Sequence, residues 1–223
     1  IEKEKNKSFP ITIFNSDGNE VSACGNGSRC IAYLLSKKIN TKSIKIETSN
    51  RTLNAEIIGN LSVKLNMGHP IFNWDKIPLS KELDNKKVDI EIDGKLYQNG
   101  FCVNIGNPHI IFFVKDCFSY DLTTLGPKIE NHSLFPERIN VTFAQIENSH
   151  LIKVNVWERG SGLTKACGTA ACATSVAAFK KKLIDNNVDI KFNEGVLNIE
   201  IDQNNEIFMT GPVSEIQNIE IDI

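Results

Sequence analysis

The sequence predicts an α+β fold made of two similar halves. Three observations carry that expectation. Strand-like segments outnumber helix-like ones. The two principal helix candidates are each introduced by the same kind of stretch, Cys24-Gly25-Asn26-Gly27-Ser28-Arg29-Cys30 and Cys167-Gly168-Thr169-Ala170-Ala171-Cys172. A second pair of landmarks, Gly68 before His69-Pro70 and Gly211 before Pro212, repeats at the offset of 143 residues that separates Cys24 from Cys167. Two landmarks at one offset argue for an internal repeat.

In chain order, residues 9–14 alternate weakly and end in the turn-like Asn15-Ser16-Asp17-Gly18. The first helix is expected from about Asn26 to Lys38, with Lys37 and Lys38 in its last turn, where cations suit the helix dipole. Strands are expected over 43–48, 52–58 and 61–67, with Gly59-Asn60 as a tight turn. Residues 68–87 read as a linker with a loop. Strands follow over 88–92, 95–105, 109–114 and 139–147, with Asp93-Gly94 as a hairpin turn. Segment 150–157 alternates cleanly, Ile152, Val154 and Val156 on one side and Lys153 and Asn155 on the other. The second helix is expected from about Thr169 to Leu183. It is small or apolar on every side at its start, which predicts burial. Strands over 188–192, 196–201 and 206–210 and an alternating tail, 213–223, complete the chain. There is no regular βαβα alternation of a dinucleotide-binding sheet.

Composition excludes several classes. The chain has 223 residues, 41% hydrophobic and 23% charged, with a net charge of −2. This balance points to no nucleic-acid partner and no membrane surface. No apolar run approaches the roughly 20 residues of a membrane span. Six cysteines are too sparse for a disulfide scaffold, and none of their spacings reads as a zinc site. The default expectation is a reducing cytoplasm with the thiols unpaired. If the second half is 71–212, it has 142 residues against 70 for the first. The repeat therefore predicts a missing N-terminal stretch, as does a chain that opens at Ile1.

A glycine-rich turn opening a helix leaves N–H groups unpaired and carries positive partial charge. Such a site binds a carboxylate and stabilises a thiolate. Two such sites facing each other would hold an amino acid's carboxylate between them and stabilise the charge that develops as its α-proton leaves. One cysteine, as thiolate, would take that proton from one face. The other, as thiol, would return one to the opposite face. Inversion of the α-carbon would follow. Buried cysteines are commonly plain packing residues, and the repeated Cys-Gly context is what raises Cys24 and Cys167 above that reading. Cys30, Cys102, Cys117 and Cys172 stay with it.

Phe14-Asn15-Ser16-Asp17-Gly18, Cys24 to Cys30, Gly106-Asn107-Pro108-His109, Pro136-Glu137-Arg138-Ile139-Asn140, Glu158-Arg159-Gly160-Ser161-Gly162 and Ala166-Cys167-Gly168-Thr169 together resemble the diaminopimelate epimerase family, in order and spacing across the whole chain. The resemblance implies two pseudo-symmetric halves, each a mostly antiparallel, barrel-like sheet around a central buried helix. The halves would be 1–70 with the tail 213–223, and 71–212, with the active site in the cleft between them. It implies interconversion of LL- and meso-2,6-diaminopimelate with no cofactor and no metal, in lysine and peptidoglycan precursor synthesis. Cys24 and Cys167 would be the acid–base pair. Main-chain groups of Gly25, Asn26, Gly168 and Thr169 would hold the reacting carboxylate. Asn15, Asn107, Asn140 and Arg159 would hold the far end, Arg159 through its planar fork. Glu158 would take the distal ammonium and assist, and His109 would assist catalysis. The only partner implied besides the substrate is a second copy in a homodimer, near a tail position where Gln217 stands in place of a tyrosine common in the family. The family's first block, a Gly-Asn-Asp-Phe run, is absent.

Taken singly, these residues have plainer readings. Asn15 and Asn140 suit turns, Asn107-Pro108 is an ordinary turn pair, His109 suits a structural role, and Glu158-Arg159 suits a solvated strand end. A proline or hydroxyproline racemase-like enzyme and an inactive truncated form are the alternatives. Arg159 and the asparagines, which suit a long substrate with a second charged end, argue against the racemase.

Overall fold

A computed structural model describes residues 8–14, 20–21, 24–49 and 52–217. The chain separates into two compact units, 1–66 with 210–223, and 67–209.

The first unit opens with two short strands, β1 (Phe9–Pro10) and β2 (Ile13–Phe14), and β2 pairs with β3 (Glu20–Val21). Helix α1 (Gly25–Ile39) follows. Cys24 caps it in an extended conformation, φ −142° and ψ 101°, and Asn40 ends it in the left-handed region at φ 51°. The observed helix is one residue longer at each end than the sequence predicts, because the caps themselves set the limits. Strands β4 (Ser43–Glu47), β5 (Thr52–Gly59) and β6 (Ser62–Gly68) then form an antiparallel meander. Ile44, Ile46, Leu53, Ala55, Val63 and Leu65 are buried, every second residue of their strands, as are Ala32, Tyr33 and Leu35 of α1. The turn between β5 and β6 is Asn60-Leu61, with Gly59 opposite Ser62 and Leu61 at φ 54°. The expected Gly59-Asn60 turn is thus displaced by one residue, because the buried alternation of both strands pins the register.

The second unit contains β7 (Val88–Ile92), β8 (Lys95–Asn104), β9 (Pro108–Phe113), a 3-10 turn at Cys117–Ser119, α2 (Leu122–Glu130), β10 (Asn140–Asn148), β11 (Leu151–Glu158), β12 (Gly162–Thr164), α3 (Gly168–Lys180), β13 (Asn187–Phe192) and β14 (Gly195–Ile201). β15 (Ile207–Pro212) carries the chain back to the first unit. Within the unit the strand order is β14-β13-β11-β10-β9-β8-β7, with β12 on β11. Pairings are antiparallel except β9 with β10 and β11 with β13. Asp93 and Gly94 connect β7 to β8 with positive φ, 53° and 75°, the geometry of an Asp-Gly hairpin turn.

The two helices of this unit cover opposite faces of the sheet. Ile110, Phe112, Val141 and Phe143 belong to the apolar cluster that holds Leu122, Leu125 and Ile129 of α2. Alternation along the strands puts His109, Ile111, Asn140 and Thr142 on the other face, where α3 packs against β8, β9, β10, β13 and β14. α3 is buried from Gly168 through Ala178, as its all-round apolar start predicts. It stops at Lys180, three residues before the expected end. Lys182 turns left-handed at φ 59°. Leu183 and Lys182 then donate back to the carbonyls of Ala178 and Phe179, which closes the helix.

α2 is absent from the sequence reading. Gly126 and Pro127 lie inside it, and both residues ordinarily argue against a helix. Its start is firmly capped. The Asp121 carboxylate accepts the Thr123 N–H at 3.0 Å and the Thr123 and Thr124 hydroxyls.

The halves share a plan. α1 and α3 begin 143 residues apart, at Gly25 and Gly168. Each is followed by three strands, and the first of these pairs in parallel with a strand that precedes the helix, β4 with β1 and β13 with β11. This is the α+β, pseudo-symmetric architecture expected. No described helix is long and apolar enough to cross a membrane.

Candidate active site

In the first unit the site residues sit on the opening turn of α1. Cys24 is half-buried. Its sulfur accepts the Gly27 N–H at 3.3 Å and its carbonyl accepts the Ser28 N–H at 2.9 Å. The N–H groups of Gly25 and Asn26, the two that lie before these, have no intrahelical acceptor. The Asn26 side chain is engaged with the buried Arg29, whose guanidinium donates to Oδ1 at 3.0 Å. Glycine at position 27 leaves room for the thiol, since a Cβ there would come within 3.3 Å of Cys24 Sγ. Asn15 lies outside the described residues.

The second unit repeats this turn on α3. Cys167 takes the same extended capping conformation, φ −136° and ψ 113°. It is far more enclosed, 6% exposed. Its carbonyl accepts the Ala171 N–H at 3.0 Å, and its sulfur lies 3.4 Å from the Thr169 hydroxyl. Burial pushes the Cys167 thiol up to about 12, and the neighbouring Glu158 carboxylate adds to this through its charge and a hydrogen bond. The Thr169 hydroxyl and the Ala170 N–H pull the other way, although no N–H closes a capping bond to this sulfur. Gly168 and Thr169 again carry the first N–H groups of the helix, without intrahelical acceptors.

The remaining candidates of this unit form one chain of contacts. Glu158 ends β11, and strand alternation turns it to the face opposite Trp157, which packs on the α2 cluster. Arg159 follows. Its backbone N–H donates to Asn140 Oδ1 at 2.9 Å, and its Nη1 donates to the Glu137 carbonyl at 2.9 Å. Burial, then the charge of Arg138, lowers the affinity of the Arg159 guanidinium for its proton. Asn140 Nδ2 donates to the Pro108 carbonyl at 2.7 Å. Asn140 also lies level with His109 in the parallel β9–β10 register. His109 is fully buried, and its Nε2 lies 2.8 Å from Asn107 Oδ1. Because that oxygen can only accept, Nε2 carries the proton. Burial, reinforced by the Arg159 charge, pushes His109 down to about 3, so the ring is neutral. Asn107, His109, Asn140, Glu158, Arg159, Cys167, Gly168 and Thr169 are thus assembled in one unit from three strands and a helix start.

A family model for diaminopimelate epimerase matches residues 1–73 and 101–216. The chain belongs to the diaminopimelate epimerase family. A relative of that name from Pelagibacter ubique (strain HTCC1062) is 52% identical, over 99% of this chain and 82% of its own length. Another, from a Wolbachia of Drosophila simulans (strain wRi), is 44% identical over 90% of this chain and 76% of its own. Solved structures of other names show the same fold. A probable proline racemase from Agrobacterium radiobacter K84 aligns with TM-score 0.68 at 11% identity, over 100% of this chain and 75% of its own. A phenazine biosynthesis protein of the PhzF family from Bacillus anthracis aligns with TM-score 0.64 at 17% identity, over 96% and 80%. Within the family frame, two features escaped the sequence reading. One is the contact of Glu158 with the Cys167 thiol. The other is the role of the Asn140 side chain in holding the Arg159 backbone. Both depend on strand register, which no local pattern announces.

Proposed function

We propose that the chain interconverts LL- and meso-2,6-diaminopimelate, as an isomerase that needs no cofactor, with Cys24 and Cys167 as its two acid–base groups. The observation that supports this best is the matched pair of cysteine caps. Each cysteine is in the same extended conformation at the start of a helix, and each precedes two N–H groups without intrahelical acceptors. Gly25 with Asn26, and Gly168 with Thr169, would hold the reacting carboxylate and stabilise its added charge as the α-proton departs.

The two thiols would serve opposite faces of one α-carbon. A thiolate at one takes the α-proton, and the thiol at the other returns one to the far face. Atoms and charge balance with no other reactant, and the protonation states of the pair are exchanged after each turnover. Cys167, held strongly toward its neutral form, suits the role of proton donor in the resting protein. Glu158, which touches that thiol, would take the distal ammonium of the substrate and assist. Arg159, Asn15, Asn107 and Asn140 would hold the far end of the substrate. Neutral His109 would assist by position and hydrogen bonding rather than as a resting cation. We assign the halves as 1–70 with 213–223, and 71–212, place the enzyme in the cytoplasm, and expect a homodimer.

The test is to incubate the protein with LL-diaminopimelate in deuterated water under reducing conditions. Deuterium should appear at the α-carbon and the meso isomer should accumulate. Folded protein with intact thiols that yields neither label nor meso isomer would refute the reading.

A further inference from the structure

The last residue of α2 is a buried acid that the chemistry above does not use. Glu130 is 4% exposed and ends the helix, where the dipole disfavours a negative charge. Its carboxylate is nonetheless well provided with donors. Oε2 accepts the Trp157 indole N–H at 2.7 Å, and Oε1 accepts the Gly160 N–H at 3.0 Å and Arg138 Nη1 at 3.4 Å. One carboxylate therefore grips the residues on both sides of Glu158 and Arg159. Gly126, one helical turn earlier, lies against the Trp157 ring so closely that a Cβ would overlap ring atoms Cγ and Cδ2. The helix thus approaches as near as glycine permits, and its closeness sets the height of the carboxylate. The negative charge of Glu130 also supports the positive charge of Arg159.

We propose that Glu130 is a positioning residue that fixes the direction in which Glu158 and Arg159 leave β11. The proposal rests on the reading that these two residues hold the far end of diaminopimelate. Three donors converge on two carboxylate oxygens, so an amide cannot replace the acid. Glutamine has a single oxygen, and its NH2 would meet either the indole or the Gly160 N–H, donor against donor.

Steady-state kinetics with LL-diaminopimelate on Glu130→Gln, Arg159→Lys and the double variant tests this, alongside thermal unfolding of each. Glu130→Gln should raise KM about tenfold while kcat stays within about threefold. The double variant should fall short of the sum of the two single effects, because both changes act on the hold of Arg159. An unchanged KM in folded Glu130→Gln, a loss confined to kcat, or additive effects overturn the proposal. If Glu130→Gln does not fold, Trp157→Phe replaces it, since it removes the indole donor and keeps an aromatic ring beside Gly126. A KM raised about threefold supports the proposal, and an unchanged KM overturns it. An unchanged KM in Arg159→Lys overturns the far-end reading and this proposal with it. A raised KM there beside an unchanged KM in Glu130→Gln overturns this proposal alone.

Discussion

The side chain of Asn140 accepts the backbone N–H of Arg159 at 2.9 Å. Its amide nitrogen donates at the same time to the Pro108 carbonyl at 2.7 Å. One buried amide thereby ties the turn after β11 to the start of β9, which carries His109 and follows Asn107. Asn140→Asp keeps the acceptor for Arg159 but sets a second oxygen against the Pro108 carbonyl. The variant should lose about 1–3 kcal/mol of stability and bind substrate more weakly. Urea denaturation and KM check this. Unchanged values for both would show that the bridge does not matter.

The paired caps predict a symmetric result at the two thiols. Cys24→Ser and Cys167→Ser should each lose at least about 100-fold in turnover. Substrate binding, which we assign to backbone N–H groups on both helices, should change by no more than about threefold. Turnover and calorimetric binding give the two numbers. Full activity in either variant removes that cysteine from the mechanism.

Gly27 separates stability from activity. Alanine is the better helix former by up to about 1 kcal/mol. Its Cβ, however, would press on Cys24 Sγ from 3.3 Å. Gly27→Ala should melt no lower than the parent protein yet turn over about tenfold more slowly. A fully active Gly27→Ala would mean that the thiol tolerates displacement.

His109 makes folding pH-dependent. Burial holds its ring neutral down to about 3, against the ordinary 6.5. Between these values the unfolded chain binds the extra proton and the folded chain does not. Stability therefore falls as pH drops through that window and is fully present above it. From about pH 6.5 to about pH 5 this one group should remove on the order of 1–2 kcal/mol. Urea titrations at the two pH values should show a smaller drop in His109→Gln. An equal drop in both proteins would place the effect on other groups.

Much of this molecule is legible locally. The two cysteine-capped helices follow from Cys-Gly turns leading into apolar runs, and their ends agree to within a residue for α1 and to within three for α3. The alternating segments between 43 and 210 became strands near their expected limits, whereas 9–14 divides into two short strands and residues 213–217 of the alternating tail form none. α2 was not legible, because Gly126 and Pro127 read as breakers. The glycine is there for the Trp157 ring, a residue some thirty positions away in sequence. The short β12, which pairs with the end of β11, was also missed, since three residues carry no periodicity.

By itself the sequence determined the α+β class, the duplication, the two cysteine-led helix starts and the family. Each of these is written in residue identity, spacing or a repeated offset. Only the tertiary structure decided which side chains share a neighbourhood. Parallel pairing of β9 with β10 sets His109 beside Asn140, and antiparallel pairing of β10 with β11 brings Asn140 to Arg159. Burial of α3 turned Cys167 into a strongly protonated thiol beside Glu158, whereas Cys24, in the same kind of cap, remains half open. The physical reason is that register and burial are properties of packed surfaces. A cysteine's immediate sequence can place it at the start of a helix, but the elements that close around it set how water and neighbouring charges reach its sulfur.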